Sequence, residues 1–226
     1  MNNDDDKHPR HGFFYRNGLT LTFLLLLILS LGGQAYTGWL EHNEELSEKG
    51  GAAISFLPYL VSNHFLEATF ENWESEFLQM VSFVCLTIWL RQKGSAESKD
   101  LDKPEEVDRE PQPHPGAPWP VKKGGLILAL YKRSLSLVFL LLFMVSFVLH
   151  FKGSRGDYNV EQRAMHKPSA SVGEYLLNKR FWFESFQNWQ SEFMSVAAIV
   201  FLTIYLRQQG SSQSKPVDAP HSQTGE

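Results

Sequence analysis

The residues with the most chemical potential stand in a pattern, N-W-x-S-E-F, that occurs twice. Its first copy supplies Asn72, Trp73, Ser75, Glu76 and Phe77, and its second supplies Asn188, Trp189, Ser191, Glu192 and Phe193. Asn72 and Glu76 are four apart and share one face of a helix, as do Asn188 and Glu192. Glu76 precedes Arg91 by fifteen residues, about 22 Å along a helix axis. If that helix crosses a bilayer, the carboxyl sits near the hydrocarbon edge, where a charge is costly unless paired, protonated or wet. Approximate twofold symmetry would bring Glu76 and Glu192 together. Two neighbouring carboxyls raise each other's proton affinity, and such a pair would carry protons or hold a cation. The plainer reading is that each Glu reaches interfacial water and bonds a neighbouring helix as polar packing glue. The sequence leaves both open.

Other groups carry less. Glu67, Glu71 and Ser75 form a stripe spaced by four, but the corresponding later residues are Phe183, Gln187 and Ser191. No acid pair recurs, so a solvated helix face is expected. His42, His64, His150 and His166 are scattered, none recurs in the other copy, and neither HExxH nor HxxxH spacing exists. Neither metal nor cofactor is expected. A phosphate loop, a dinucleotide fingerprint and a nucleophile elbow are all missing from the sequence, so no enzyme is expected. Cys85 is the single cysteine, which excludes a disulfide within one chain. The net charge of -4 and the lack of a basic stripe with interleaved aromatics exclude nucleic acid as a partner class.

The elements that must position these residues are apolar runs. Residues 19–38 read LTLTFLLLLILSLGGQAYTG, twenty residues without a charge. As a helix they span about 30 Å, the thickness of a hydrocarbon core. A run this early in a chain also resembles a signal peptide. Against that stands a repeat at a constant interval of 116: YRNGLTLTFLLLLILS returns as YKRSLSLVFLLLFMVS, and LTIWLRQKGS returns as LTIYLRQQGS. Between residues 54–95 and 170–211, nineteen of 42 positions are identical. The second apolar run, residues 135–151, lies mid-chain where no signal peptide can be. The first is therefore expected to be retained. The Gly32–Gly33 pair inside it reads as a close-packing site; Val148 and Leu149 replace it in the second copy.

Each copy holds a second helical segment, roughly 65–92 in the first. Its strictly apolar part, 77–90, is only fourteen residues and contains Gln79. Its flanks argue for a span. Trp73 and Trp89 are sixteen residues apart, about 24 Å along a helix, which fits an aromatic belt at each membrane face. Trp189 and Tyr205 repeat the pair, and Arg91 and Arg207 mark one water-facing end. The expected fold is all-α: a membrane protein with four transmembrane helices in two parallel helical-hairpin repeats. Residues 1–95 form the first repeat, with spans at 19–38 and 73–91. Residues 126–211 form the second, with spans at 133–151 and 189–207. The hairpin loops, 41–63 and 157–179, are expected to hold a short helix and a turn, with Asn43 and Glu45 recurring as Asn159 and Glu161.

Residues 96–125 contain KPEEVDREPQPHPGAPWP, a stretch rich in proline and charge that reads as an extended cytoplasmic linker; residues 212–226 read as a disordered tail. If both termini and the linker share a side, that side carries 14 of the 21 Lys and Arg residues and should be cytoplasmic.

HFLEATFENWESEFLQM, LRQKGSAESKD, APWPVKKGG and FWFESFQNWQSEF together resemble a bacterial membrane family, domain of unknown function 6766, over nearly the whole chain. The resemblance implies a bacterial inner-membrane protein and no particular activity. Expected partners are the lipid bilayer and either further copies of the chain or another membrane protein. The expected role is a structural or interaction component of the cytoplasmic membrane. The alternative is a small channel or transporter with a proton or cation site at the repeat interface.

Overall fold

The computed structural model describes residues 12–225 and contains, among them, eight α-helices and no strand. The basic residues Lys7 and Arg10, counted above toward orientation, lie outside the described residues. The helices are α1 (Phe13–Glu48), α2 (Phe56–Tyr59), α3 (Asn63–Leu86), α4 (Trp119–Lys123), α5 (Gly125–Tyr131), α6 (Ser134–Ala164), α7 (Val172–Leu176) and α8 (Lys179–Tyr205). A 3-10 turn covers Glu106–Asp108. The chain divides into two compact units, Met1–Phe65 and Leu66–Glu226, so that α3 begins in one and continues in the other.

In the first unit α1 runs ten residues beyond the expected span, because nothing from Tyr36 to Glu48 is a helix breaker other than Gly38. It ends where Gly50 takes φ +71 and the Gly51 N–H returns to the Leu46 carbonyl at 2.7 Å, a left-handed C-terminal cap. Asn43 then clamps the loop. Its side-chain amide donates to the Ile54 carbonyl at 3.0 Å while its Oδ1 accepts the Ile54 N–H at 2.8 Å. Trp39 Nε1 adds a second donor to the same carbonyl at 2.8 Å. The clamp leads into α2, whose Tyr59 is buried against α1. Gly38 makes room for it, since a Cβ there would overlap the Tyr59 hydroxyl.

The second unit contains the same hairpin with different side chains. Just past the end of α6, His166 takes φ 58 and the Lys167 N–H returns to the Gln162 carbonyl at 2.8 Å. Asn159 donates to the Ala170 carbonyl at 3.2 Å and accepts the Ala170 N–H at 2.7 Å, with Arg155 Nε as the second donor at 3.1 Å. A capping box at Ser171 and Glu174 starts α7, and Tyr175 is fully buried. Each element sits 116 residues after its counterpart: α1 and α6 end at Glu48 and Ala164, and α3 and α8 start at Asn63 and Lys179. The short helix and turn expected in each hairpin loop are thus α2 and α7.

The L-R-Q-x-G-S motifs form matching caps after α3 and α8. Arg91 donates to the carbonyls of Thr87, Ile88, Leu90 and Asp100, and Arg207 to those of Thr203, Ile204, Leu206, Pro216 and Ala219. These guanidinium groups satisfy helix-end carbonyls that otherwise have no partner. Ser98 accepts the Gln92 N–H and Ser214 the Gln208 N–H, both at 2.9 Å. The start of the linker meets the tail directly: Gly94 N–H donates to Thr224 at 2.9 Å and Gly225 N–H to the Ser95 carbonyl at 3.0 Å. The buried Lys215 ammonium donates to the carbonyls of Gly94, Pro220, His221 and Gln223. Turns and hydrogen bonds therefore run through stretches whose composition alone suggests an extended connector and a disordered tail.

Two of the described helices, α1 and α6, are long and apolar enough to cross a membrane. Four were expected. Glu71, Glu74, Glu76 and Gln79 in α3, and Glu184, Gln187, Asn188, Gln190 and Glu192 in α8, leave each of those helices too polar or its apolar part too short to qualify. In α1, Leu24 through Leu29 are six consecutive exposed apolar residues, which point in every direction around the helix. In α6, Leu135, Leu137, Val138, Leu141, Met144 and Val148 are exposed while Ser146, His150 and Ser154 are buried.

Candidate functional site

The polar stripe of α6 is the starting point. Ser146, His150 and Ser154 are spaced by four, so they line one face. Each is no more than 2% exposed. A buried polar group must find a partner or lose the hydrogen bonds it had with water. His150 finds two carboxylates from two other helices. Its Nδ1 lies 2.7 Å from Glu74 Oε2 on α3, and both side chains are completely buried. Its Nε2 faces Glu184 Oε2 on α8 at 3.5 Å, close enough for an ion pair but without hydrogen-bond geometry. The second oxygen of Glu74 accepts Trp189 Nε1 at 2.9 Å. The face of Phe181, with its centroid 5.1 Å from that of the imidazole, closes the remaining side.

From Glu184 the network continues outward. Its Oε2 accepts the Ser154 hydroxyl at 2.6 Å, and Ser154 is in turn 2.6 Å from the Tyr175 hydroxyl on α7. Its Oε1 accepts Arg180 Nε at 2.8 Å. Arg180 is the hub of the outer half. Its remaining nitrogens reach Glu161 at 3.0 Å, Asp157 at 3.1 Å and Glu67 at 3.2 Å, so one guanidinium ties α3, α6 and α8 together. Glu71 on α3 receives the Asn188 amide. Six carboxyl groups thus surround one guanidinium and one imidazole.

That imbalance of charge shows in proton affinity. Burial first, then the neighbouring Glu184 and Asp157 carboxylates, push the Glu67 carboxyl up to about 8 against the opposing pull of Arg180. Glu184 goes the other way. Burial works against its charge, but the His150, Ser154 and Arg180 side chains hold it down to about 2. Arg180, though partly desolvated, is held firmly charged by Glu184, Glu67 and Glu161. One acid of the cluster thus keeps its proton near neutrality while a neighbour gives its proton up.

The residues singled out from the sequence divide between this network and its surroundings. Asn188 is in it through Glu71, and Trp189 through Glu74. Asn72 is exposed and donates only to the Ala68 carbonyl of its own helix, at 2.9 Å. Glu76 and Glu192 do meet, side chain to side chain, on the exposed flank of the network. Trp73 packs edge-on against Phe70, with ring centroids 5.3 Å apart. Trp89 and Tyr205 are exposed near the opposite ends of α3 and α8. The stripe Glu67, Glu71, Ser75 is not a solvated face. Ser75 is buried, Glu67 binds Arg180 and Glu71 binds Asn188, because α3 turns these residues toward α8.

Glu74, His150, Ser154, Tyr175, Arg180 and Glu184 were missed. The available signals were a serine–histidine–serine stripe inside an apolar run and the unmatched x of N-W-x-S-E-F, which is Glu74 in one copy and Gln190 in the other. Non-recurrence was a poor reason to set His150 aside. Gln34 stands 116 residues before it, and the charged cluster joins α3 of the first repeat to α6 and α8 of the second, where no position need match its counterpart. Among the described residues no group of three or more His, Cys, Asp or Glu side chains is arranged to hold a metal ion.

No curated protein and no solved structure matches the chain. One family model does, over residues 10–226, and since that covers almost the entire sequence, the chain belongs to the family described as Domain of unknown function (DUF6766).

Proposed function

We propose that this chain is an integral protein of the bacterial cytoplasmic membrane, built from a duplicated helical hairpin, and that it acts there as a structural or interaction component. The observation that carries the reading is the inverted polarity of α6. Its leucines, valines and methionine face outward and its Ser146, His150 and Ser154 face inward, the reverse of a helix on the surface of a water-soluble globule. Exposed apolar surface of this extent calls for lipid or a membrane partner to cover it. In this reading α1 and α6 cross the bilayer. The bias of basic residues favours a cytoplasmic side for both termini and the linker. Lipid, a second copy of the chain or another membrane protein would cover the bare circumference of α1.

Extraction tests the proposal. The full chain should stay in the membrane pellet after an alkaline carbonate wash and leave it only with detergent. Recovery of folded, monodisperse protein in buffer without detergent or lipid would overturn the reading. A second reading, a small channel or transporter, draws on the contact of Glu76 with Glu192 and on the excess of carboxylates around His150. Proton or cation flux in liposomes that is lost in Glu76→Gln/Glu192→Gln would favour it.

A further inference from the structure

We propose that His150 is a proton-relay residue, passing protons between the carboxylates of Glu74 and Glu184 through its two ring nitrogens. This rests on the membrane reading above only in that the relay would work inside the bilayer; the local chemistry stands on geometry within one unit of the chain.

An imidazole that accepts a proton at one nitrogen and releases one from the other moves charge across its own width without moving itself, which suits histidine to proton shuttling. The requirement is an acceptor or donor at each nitrogen, and His150 has both. Glu74 Oε2 lies 2.7 Å from Nδ1 and Glu184 Oε2 lies 3.5 Å from Nε2. The two contacts are unequal. The Glu74 side is a formed hydrogen bond, whereas Nε2 is fully buried, makes no hydrogen bond among the described residues and points at Glu184. His150 thus keeps the nitrogen nearer the outer carboxylate within reach of Glu184. Closing that gap takes a shift of less than an ångström by Glu184, whose Oε2 also accepts the Ser154 hydroxyl and whose Oε1 accepts Arg180 Nε.

The step balances as follows. A proton arriving at Glu74 Oε2 passes to His150 Nδ1, and the Nε2 proton passes to Glu184 Oε2. The imidazole ends neutral with the opposite tautomer, and one proton has moved from Glu74 to Glu184. Glu184 then discharges toward Ser154 and Tyr175 or to water beside the partly exposed Arg180, Asp157 and Glu161. On the far side of Glu74, Ser146 one turn back on α6 and Gln79 further along α3 are both buried polar residues, which extends the polar path away from the hairpin loop. The charged and titratable groups around the ring are therefore Glu74 and Glu71 from α3, Glu184 and Arg180 from α8, and Tyr175 from α7 behind Ser154. Chains of Glu and His buried between membrane helices are the usual material of proton pathways.

The test uses the full chain reconstituted in vesicles of phosphatidylethanolamine and phosphatidylglycerol, with an entrapped pH dye and valinomycin to clamp the potential. Wild type should dissipate an imposed pH gradient faster than protein-free vesicles. His150→Gln, which installs the amide found 116 residues earlier, and the isosteric Glu74→Gln should each slow it on the order of a hundredfold, the scale on which one positioned proton-transfer group acts. Arg109→Gln, in an exposed pair with Glu106, should leave it unchanged. Added imidazole should restore flux to His150→Gly, a rescue that a packing role cannot give. Wild-type protein that resists carbonate extraction from the vesicles yet gives no flux above protein-free vesicles overturns the relay and spares the membrane reading. Protein that the carbonate wash removes overturns the membrane reading itself. Flux intact in His150→Gln but lost in Glu76→Gln/Glu192→Gln would also overturn the relay and move the path to the outer pair.

Discussion

Replacing Arg180 by alanine should destabilise the second unit while leaving its apolar packing untouched. The guanidinium makes four carboxylate contacts between 2.8 and 3.2 Å to three helices. Removing one partner of a fully buried pair costs about 3–5 kcal/mol, because the charge left behind has neither water nor a partner. Arg180 is not fully buried: its side chain is 30% exposed, and those of its partners range from 12% to 40%. Water will screen part of the loss, as it does at surface pairs worth about 0.2–1 kcal/mol. An intermediate value of about 2–3 kcal/mol follows. The loss should also depend on pH. Arg180 opposes the upward push on Glu67, which burial and the Glu184 and Asp157 carboxylates hold at about 8. Without the guanidinium, Glu67 ionises at still greater cost, so the loss grows as pH rises through 8 and shrinks at pH 5, where Glu67 is protonated with or without Arg180. The assay is unfolding in mixed micelles, followed by tryptophan fluorescence at pH 5, 7 and 9, with the exposed Lys49→Ala as the reference for a surface pair. A loss below about 1 kcal/mol, or the same loss at all three pH values, would refute the reasoning.

Other expectations follow from the same contacts. Glu67 and Glu184 work in opposite directions with pH. Glu184, held down to about 2 by His150, Ser154 and Arg180 against its burial, gives stability that is present above its ordinary value near 4.5 and lost as pH falls toward 2. Glu67, raised to about 8 chiefly by burial, favours the folded state fully below about 4.5 and loses that advantage as pH climbs through 8. Wild type should therefore be most stable at mildly acid pH, and Glu67→Gln should flatten the alkaline side alone; unfolding midpoints across pH check both. Asn43→Ala and Asn159→Ala each remove a paired donor and acceptor from a loop and should cost about 1–3 kcal/mol by the same unfolding assay.

How much of this was legible in the sequence follows from how each feature is encoded. The apolar runs within α1 and α6 could be read because a span needs only composition and length, and the 116-residue interval because identity needs no structure. The ends of α1 and α6 could not, since polar residues after Tyr36 and Phe151 continue the helix without continuing the apolar run. Asn43 and Asn159 announced a shared loop design because both bonds of the clamp lie within eleven residues. Arg180 announced nothing. Glu67 lies 113 residues before it, and neither residue type nor spacing says that α3 and α8 bring them together. Glu71 was read as solvated for the same reason, since its amide partner Asn188 is 117 residues away. In the linker and tail, composition says nothing of the arginine caps and the carbonyl-lined lysine, which join residues close in space and not in pattern.

The two hairpins share a backbone plan but differ where Tyr59 and Tyr175 point, and this makes a last prediction. The Tyr59 hydroxyl lies 3.1 Å from His64 Nδ1 and over the bare Cα of Gly38. Its counterpart at Tyr175 meets Ser154, which stands at the place of Gly38, and that serine passes the contact on to Glu184. If the hairpins were interchangeable, swapping these two residues would be tolerated. The contacts say otherwise. Gly38→Ser puts a side chain where the buried Tyr59 hydroxyl sits, an overpacking change of about 1–3 kcal/mol. Ser154→Gly removes the bridge between Tyr175 and Glu184 and leaves two buried polar groups short of a partner, at a cost of about 1–3 kcal/mol, more where the group is charged. Tyr175→Phe should then recover part of the Ser154→Gly loss, because it deletes one of the stranded groups, whereas Tyr59→Phe should relieve Gly38→Ser by removing the overlapping oxygen. Unfolding of the four variants and the two pairs measures this directly. Additive losses in either pair would mean that the tyrosine and the residue facing it do not act on each other, and that the hairpins diverged at this position without consequence.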